Sequence, residues 1–151
     1  MNWPPHTSQL ALDLISGTEP RFKNALIVRE AVFIREQGID PEVEIDDYDA
    51  ICWHALAYLD GEPVGTARLI LQDRFSAKIG RMAVVAEARQ HGIGTQLMRL
   101  LEDYARRQGI TRIVLDAQLQ VIPFYQRLGY EVQGDVFLDA DILHQRMTRQ
   151  L

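Results

Sequence analysis

The chain has 151 residues, 47% hydrophobic and 25% charged, enough to bury a core as one domain without disulfide or metal staples. Sixteen basic residues against 21 acidic ones leave a formal charge of −5, which disfavours general nucleic-acid binding, an affinity drawn mostly from phosphate neutralisation. The longest apolar runs, Ala55–Leu59 and Met82–Ala86, fall far short of the roughly 20 residues a membrane helix needs, and a lone Cys52 excludes an internal disulfide framework or a multi-cysteine metal site.

Met1–Gln9 reads as a polar, proline-bearing lead-in. It has neither the basic nor the apolar stretch of a secretory signal, so a reducing cytoplasm is the expected location. Leu10–Ile15 places Leu10, Leu12 and Leu14 at period 2, a strand ended by Gly17 and Pro20. From Arg21 to Gln37 the period becomes helical, with Phe22, Leu26 and Phe33 on one face and Gly38 as the stop. Asp40–Asp49 holds six carboxylates in ten residues with no apolar period, and is expected to be a solvated loop.

Ile51–Leu59 and Pro63–Leu71 read as two strands of a hairpin turning at Asp60-Gly61. Ile79–Val85 is a further strand. Gly92–Gln108 is the clearest helix, with Ile93, Leu97, Leu100 and Tyr104 on one face and Gly109 after it. Thr111–Ala117 contains Ile113-Val114-Leu115, the continuous apolar run of a strand buried on both faces. A helix over Val121–Leu128 ends at Gly129, and Pro123 suits its first turn. Strands near Tyr130–Leu138 and Ile142–Thr148 complete a mixed α/β order around one central sheet.

The informative stretch is Met82-Ala83-Val84-Val85-Ala86-Glu87-Ala88-Arg89-Gln90-His91-Gly92-Ile93-Gly94-Thr95, a strand, a turn with two glycines and the start of the long helix. The first N–H groups of a helix lack intrahelical acceptors and the helix dipole favours an anion there. Glycines at 92 and 94 let the backbone approach a phosphate closely. A dinucleotide fingerprint fails, because its third glycine would fall at Leu97. A nucleotide-hydrolase phosphate loop fails too, as no Gly-Lys-Ser/Thr follows.

Arg89-Gln90-His91-Gly92-Ile93-Gly94 resembles the Arg/Gln-x-x-Gly-x-Gly/Ala signature of the GNAT (general N-acetyltransferase) superfamily. Met82-Ala83-Val84 lies where that family places its preceding strand. Ala117-Gln118 and Phe124-Tyr125-Gln126-Arg127-Leu128-Gly129-Tyr130 resemble its second motif, with Gln118 where Asn is usual. Arg29…Val32-Phe33…Glu36-Gln37, Glu44…Asp47…His54 and Ile142…His144…Met147 resemble the ElaA/YjcF-like bacterial subgroup in particular.

The resemblance implies a fold of α/β (α+β) type, a single mixed, mostly antiparallel sheet of about seven strands, splayed between the fourth and fifth and flanked by helices. It implies an acetyl-CoA-dependent N-acetyltransferase in which an amine acceptor, small-molecule or peptide, attacks the thioester directly. Met82, Ala83 and Val84 would line the pantetheine; Gln90, His91, Gly92, Ile93, Gly94 and Thr95 would cradle the diphosphate with Arg89 as a charge partner. Gln118, Phe124 and Tyr125 would border the far wall. Tyr125, protonated at pH 7, would be the acid for the departing thiolate, and a backbone N–H near Val84 the donor to the developing oxyanion.

An alkylamine at pH 7 is mostly ammonium, so a base is needed, and Glu44 and His54 are the candidates carried forward. His54 and His144 fit equally well as hydrogen-bonded structural residues. No metal site is expected, since the spacing of Asp46, Asp47, Asp49 and His54 matches no defined coordination loop. The resemblance admits a homodimer. The competing reading is a CoA-binding sensor or interaction module without turnover.

Overall fold

The computed structural model describes residues 9–151, so the expected lead-in, Gln9 apart, lies outside the described residues. Seven strands form one sheet: β1 (Leu10–Ser16), β2 (Trp53–Leu59), β3 (Glu62–Leu71), β4 (Ser76–Val84), β5 (Arg112–Gln118), β6 (Glu131–Asp139) and β7 (Ile142–Gln150), in the order β1-β2-β3-β4-β5-β7-β6. Every pairing is antiparallel except β4 with β5. Among the described residues four α-helices accompany it: α1 (Phe22–Arg29), α2 (Pro41–Glu44), α3 (Ile93–Arg107) and α4 (Ile122–Arg127). No helix among the described residues is long and apolar enough to cross a membrane.

Local chemistry accounts for most of these elements. Asp60 and Gly61 both adopt positive φ, the geometry that lets a two-residue turn follow the strand twist between β2 and β3. Leu97, Met98 and Leu101 of α3 are fully buried against β2, β3 and β4. Gly65 of β3 permits that close packing: a Cβ there would sit 3.0 Å from Ile93 Cγ2 and from Leu97 Cδ1. Ile113, Val114 and Leu115 are buried together, as their uninterrupted apolar run requires. Pro123 lies in the first turn of α4, where its missing N–H is no loss. In β1 the expected apolar face is only partly realised, with Ile15 buried and Leu12 exposed.

The expected helix over Arg21–Gln37 is one continuous helical body that changes winding. After α1 it becomes a π-helix over Glu30–Glu36, an uncommon form that recurs at functional sites. The buried stripe is Ala25, Val28, Arg29, Val32 and Phe33, at helical spacing with an arginine inside it, instead of Phe22, Leu26 and Phe33. Asp40–Asp49 is likewise more ordered than expected. It contains α2, capped by the Asp40 side chain, and a 3₁₀ turn over Asp47–Ala50 closed by a capping box between Asp46 and Asp49.

One bulge decides where the functional surface falls. Between β3 and β4, Thr66 pairs with Ala83 and Arg68 with Gly80, so β4 carries one extra residue at Arg81-Met82, and Arg81 has φ +52. Before the bulge, Ala77 and Ile79 face the main core under α3. After it, Ala83 faces the opposite side, packing with Val28, Val32 and Phe33. A single inserted residue reverses the facing of a strand, and bulges bend the strand that carries them.

Candidate active site

β4 and β5 are parallel but pair over only three positions, Ser76 with Arg112, Ala77 with Ile113 and Lys78 with Val114. Beyond Lys78 they diverge, and β5 continues to Gln118 paired only with β7. The rest of β4 therefore has no strand partner on its β5 side. The Lys78 ammonium lies 3.0 Å from Asp116 at the closed end of this wedge, and Asp116 also accepts from Arg146. A cavity of about 920 Å³ fills the wedge and extends to the π-helix and the β6–β7 hairpin.

The N-terminus of α3 opens onto one side of that cavity. Gly92 is its N-cap with φ +79, Gln90 before it has φ +66, and no side chain caps the helix. The N–H groups of Ile93, Gly94 and Thr95 are thus the first-turn donors that an intrahelical acceptor cannot reach. Gly94 is pressed on Phe124, where an added Cβ would meet Cζ at 3.2 Å. Met82, Ala83, Val84, Gln90, Gly92, Ile93, Gly94 and Thr95 line the cavity together, as do Gln118, Phe124 and Tyr125 on the other wall. His91 is not among the lining residues.

Arg89, expected as a charge partner for an anion, is already engaged. Its Nε donates to the Val84 carbonyl at 2.8 Å and its two terminal nitrogens reach Glu36 at 2.7 and 2.5 Å. It ties the end of β4 to the end of the π-helix. On the other wall, Gln118 Nε2 donates to Gln37 Oε1 at 2.9 Å. Neighbouring residues Glu36 and Gln37 thereby bind both sides of the wedge from above.

Tyr125 is 7% exposed, edge-on to Phe124 and Tyr130 at 5.0 and 5.9 Å between centroids. Burial pushes its phenol well above the ordinary range, so it keeps its proton at neutral pH. Tyr130 behind it is anchored, donating to Glu102 at 2.7 Å.

The two residues expected as bases belong to a buried ion network. Arg29, 1% exposed, donates to Glu44 at 2.6 Å and to both Asp49 oxygens at 2.7 and 2.9 Å. Arg68 reaches Asp46 and Asp49, and Arg81 adds Asp46 and the Glu44 carbonyl. Three guanidinium groups thus face three carboxylates. Glu44 lines the cavity, but its Oε1 is held by Arg29. His54 lies outside the cavity lining. Its Nε2 faces the Asp49 carbonyl at 2.9 Å, Nδ1 is buried without a partner, and burial lowers its pKa. The geometry thus withdraws His54 from the cavity and keeps Glu44 on its lining, with Oε1 held by Arg29 and Oε2 buried without a partner.

The reason is long-range pairing: the acid-rich segment looked solvated because its arginine partners lie 15 to 37 positions away. Asp49, Cys52 and His54 do offer ligand atoms within 4.8 Å of one another. Both Asp49 oxygens are nevertheless taken by arginines, and the Cys52 thiol is pushed up to about 11 by burial, a donor set poorly suited to a cation.

His144 is the residue that sequence spacing left undecided and the fold brings to the site. It lines the cavity from β7, directly opposite Gln118 of β5. Its signal was present in the Ile142…His144 spacing but carried no chemistry by itself.

Known proteins match this arrangement. The sequence model of the Acetyltransferase (GNAT) family matches residues 24–130, more than half of the chain. The Bacillus subtilis protein named uncharacterized N-acetyltransferase YjcF is 36% identical over 137 residues, covering 90% of this chain and 97% of that protein. Among solved structures, Escherichia coli ElaA superimposes with a TM-score of 0.82 at 28% identity, covering 93% of this chain and 99% of the other. An acyl-CoA N-acyltransferase from Pseudomonas aeruginosa gives 0.80 at 30% identity, with coverage of 93% and 99%. The chain belongs to the GNAT acetyltransferase family, with its ElaA/YjcF-like members as relatives, and is an acyltransferase of that type.

Proposed function

We propose that this enzyme transfers an acetyl group from acetyl-CoA to a primary amine, with Tyr125 as the acid for the coenzyme's sulfur. The observation that carries the reading is the wedge itself: an unpaired β4 edge, an uncapped helix N-terminus beside it and a buried phenol on the opposite wall.

Each element suits one part of the coenzyme. The N–H groups of Ile93, Gly94 and Thr95 suit the diphosphate, since helix N-termini bind anions. The open backbone of Met82–Val84 suits the amides of pantetheine, as a sheet edge accepts another strand. Gln118 and Phe124 border the acyl end. Arg89 holds the β4 end in place through Val84 and Glu36, with the diphosphate left to the backbone donors.

When bound, acetyl-CoA supplies an activated acyl carbon on a thioester. Tyr125 holds a proton for the departing sulfur, a thiol with a pKa of about 8.5 in water. Phe124, Ile93 and Val84 make the cavity lining apolar in that region. The reading places the enzyme in the cytoplasm, working on small-molecule or peptide amines.

A thiol-release assay with acetyl-CoA over a panel of amines tests it. Wild-type turnover of at least one amine is expected, and Tyr125→Phe is expected to lower kcat at least tenfold while the Kd for CoA stays within about twofold. Saturable CoA binding with no amine turned over would establish a binding module instead.

A further inference from the structure

His144 sits 9% exposed on β7, stacked on Phe137 of β6 with 6.0 Å between ring centroids and 24° between planes. Its Nδ1 lies 2.7 Å from the carbonyl oxygen of Ile142. A carbonyl only accepts, so Nδ1 carries a proton, and in the neutral ring the lone pair is on Nε2. The ring is therefore fixed in orientation and in tautomer, and it lines the same cavity as Tyr125. His54 is the reverse case, donating through Nε2 to Asp49 and sealed off at Nδ1.

The register of β5 on β7 places His144 opposite Gln118, so their side chains share one face of the sheet at neighbouring positions. Gln118 in turn is held by Gln37. Of the charged groups lining the same cavity, Lys78 is paired with Asp116, Arg81 with Asp46 and Arg89 with Glu36; Glu44 is held at Oε1 by Arg29 with Oε2 unpartnered, and Arg127 and Asp139 line it from α4 and β6. Arg146, two positions on from His144, is paired with Asp116.

Resting on the proposed function, we propose that His144 is the catalytic base, taking a proton at Nε2 from the ammonium of the acceptor. An alkylammonium titrates near 10.4, so about one molecule in 2,500 is the neutral nucleophile at pH 7. The ammonium gives its first proton to Nε2, which passes it to solvent. The neutral nitrogen then forms the C–N bond as the C–S bond breaks. The second proton lost by nitrogen replaces the one the Tyr125 hydroxyl hands to sulfur. The balance is one amide, one thiol and one proton released.

The test compares wild type and His144→Gln with two amines of the panel at pH 7, benzylamine, which is an ammonium there, and phenylhydrazine, which is already neutral. Loss of kcat/KM by about 100-fold or more is expected with benzylamine, far less with phenylhydrazine, and an unchanged Kd for acetyl-CoA. Equal losses with both amines, or none, would overturn the assignment. Ring ¹⁵N NMR of the unliganded protein, with the His144 signals identified by their loss in His144→Gln, is expected to show the Nδ1–H tautomer; an Nε2–H tautomer would overturn it independently of activity. Wild-type protein that binds acetyl-CoA yet acetylates no amine overturns the proposed function and this assignment with it, whereas turnover retained in His144→Gln overturns this assignment alone.

Discussion

Gln118 at the free end of β5 donates through Nε2 to Gln37 Oε1 at 2.9 Å, joining residues 81 positions apart across the mouth of the wedge. The usual Asn of the family is one methylene shorter and would not reach. Gln118→Asn is therefore expected to remove about 1 kcal/mol and lower Tm by about 2–4 °C. Gln37→Ala is expected to do the same, and the double variant to lose little more than either alone. Thermal melts of the cycle check this, and fully additive losses would deny the contact its role.

The ion network predicts acid sensitivity with a definite sign. Burial acts to raise the Asp49 pKa, but the Arg29 and Arg68 guanidiniums outweigh it and hold the carboxyl down to about 2. A carboxylate depressed in the folded state adds stability that is fully present above its unfolded value of about 3.9 and is lost as the pH falls toward 2. Holding the Asp49 carboxyl down to about 2 corresponds to about 2–3 kcal/mol of stability. Asp49→Asn is expected to cost about 3–5 kcal/mol at pH 7, by leaving buried guanidinium groups short of a partner, and to flatten the stability profile between pH 4 and 2. Urea midpoints measured across that window decide it.

The two glycines of the turn are expected to fail in different ways. Gly92 needs its left-handed backbone but has open space around it, so Gly92→Ala is expected to cost about 1–2 kcal/mol of stability. Gly94 has ordinary backbone but lies against Phe124, so Gly94→Ala forces that cavity-lining ring to give by a few tenths of an ångström. Its expected signature is about tenfold weaker CoA binding with a Tm within about 2 °C of wild type. Calorimetric titration beside thermal melts separates the two, and wild-type affinity in Gly94→Ala would contradict the packing argument.

What could be read from the chain itself follows the range of the interactions involved. The α3 start, the Asp60-Gly61 turn and the Ile113–Leu115 strand announce themselves within a few residues, because glycine geometry and apolar periodicity act locally. The order of elements was legible for that reason, while the strand count and the splay of the sheet were implied by the family resemblance. The bulge at Arg81-Met82 was not, since it exists only in the register of β4 against β3. Nor was the fate of Asp46 and Asp49, whose solvated appearance is reversed by arginines on α1 and β3. Arg29 was visible only as one residue of the subgroup resemblance, with no partner assigned, and His144 acquires a reading only once the Ile142 carbonyl fixes the proton on Nδ1.

The most direct measurement of the central claim is a crystal structure of the protein grown with acetyl-CoA. The expected result has diphosphate oxygens within hydrogen-bond distance of the Ile93, Gly94 and Thr95 N–H groups, pantetheine along Met82–Val84, and the sulfur facing the Tyr125 hydroxyl. Coenzyme bound away from the β4–β5 wedge, or β4 and β5 zipped together with it bound elsewhere, would contradict the account.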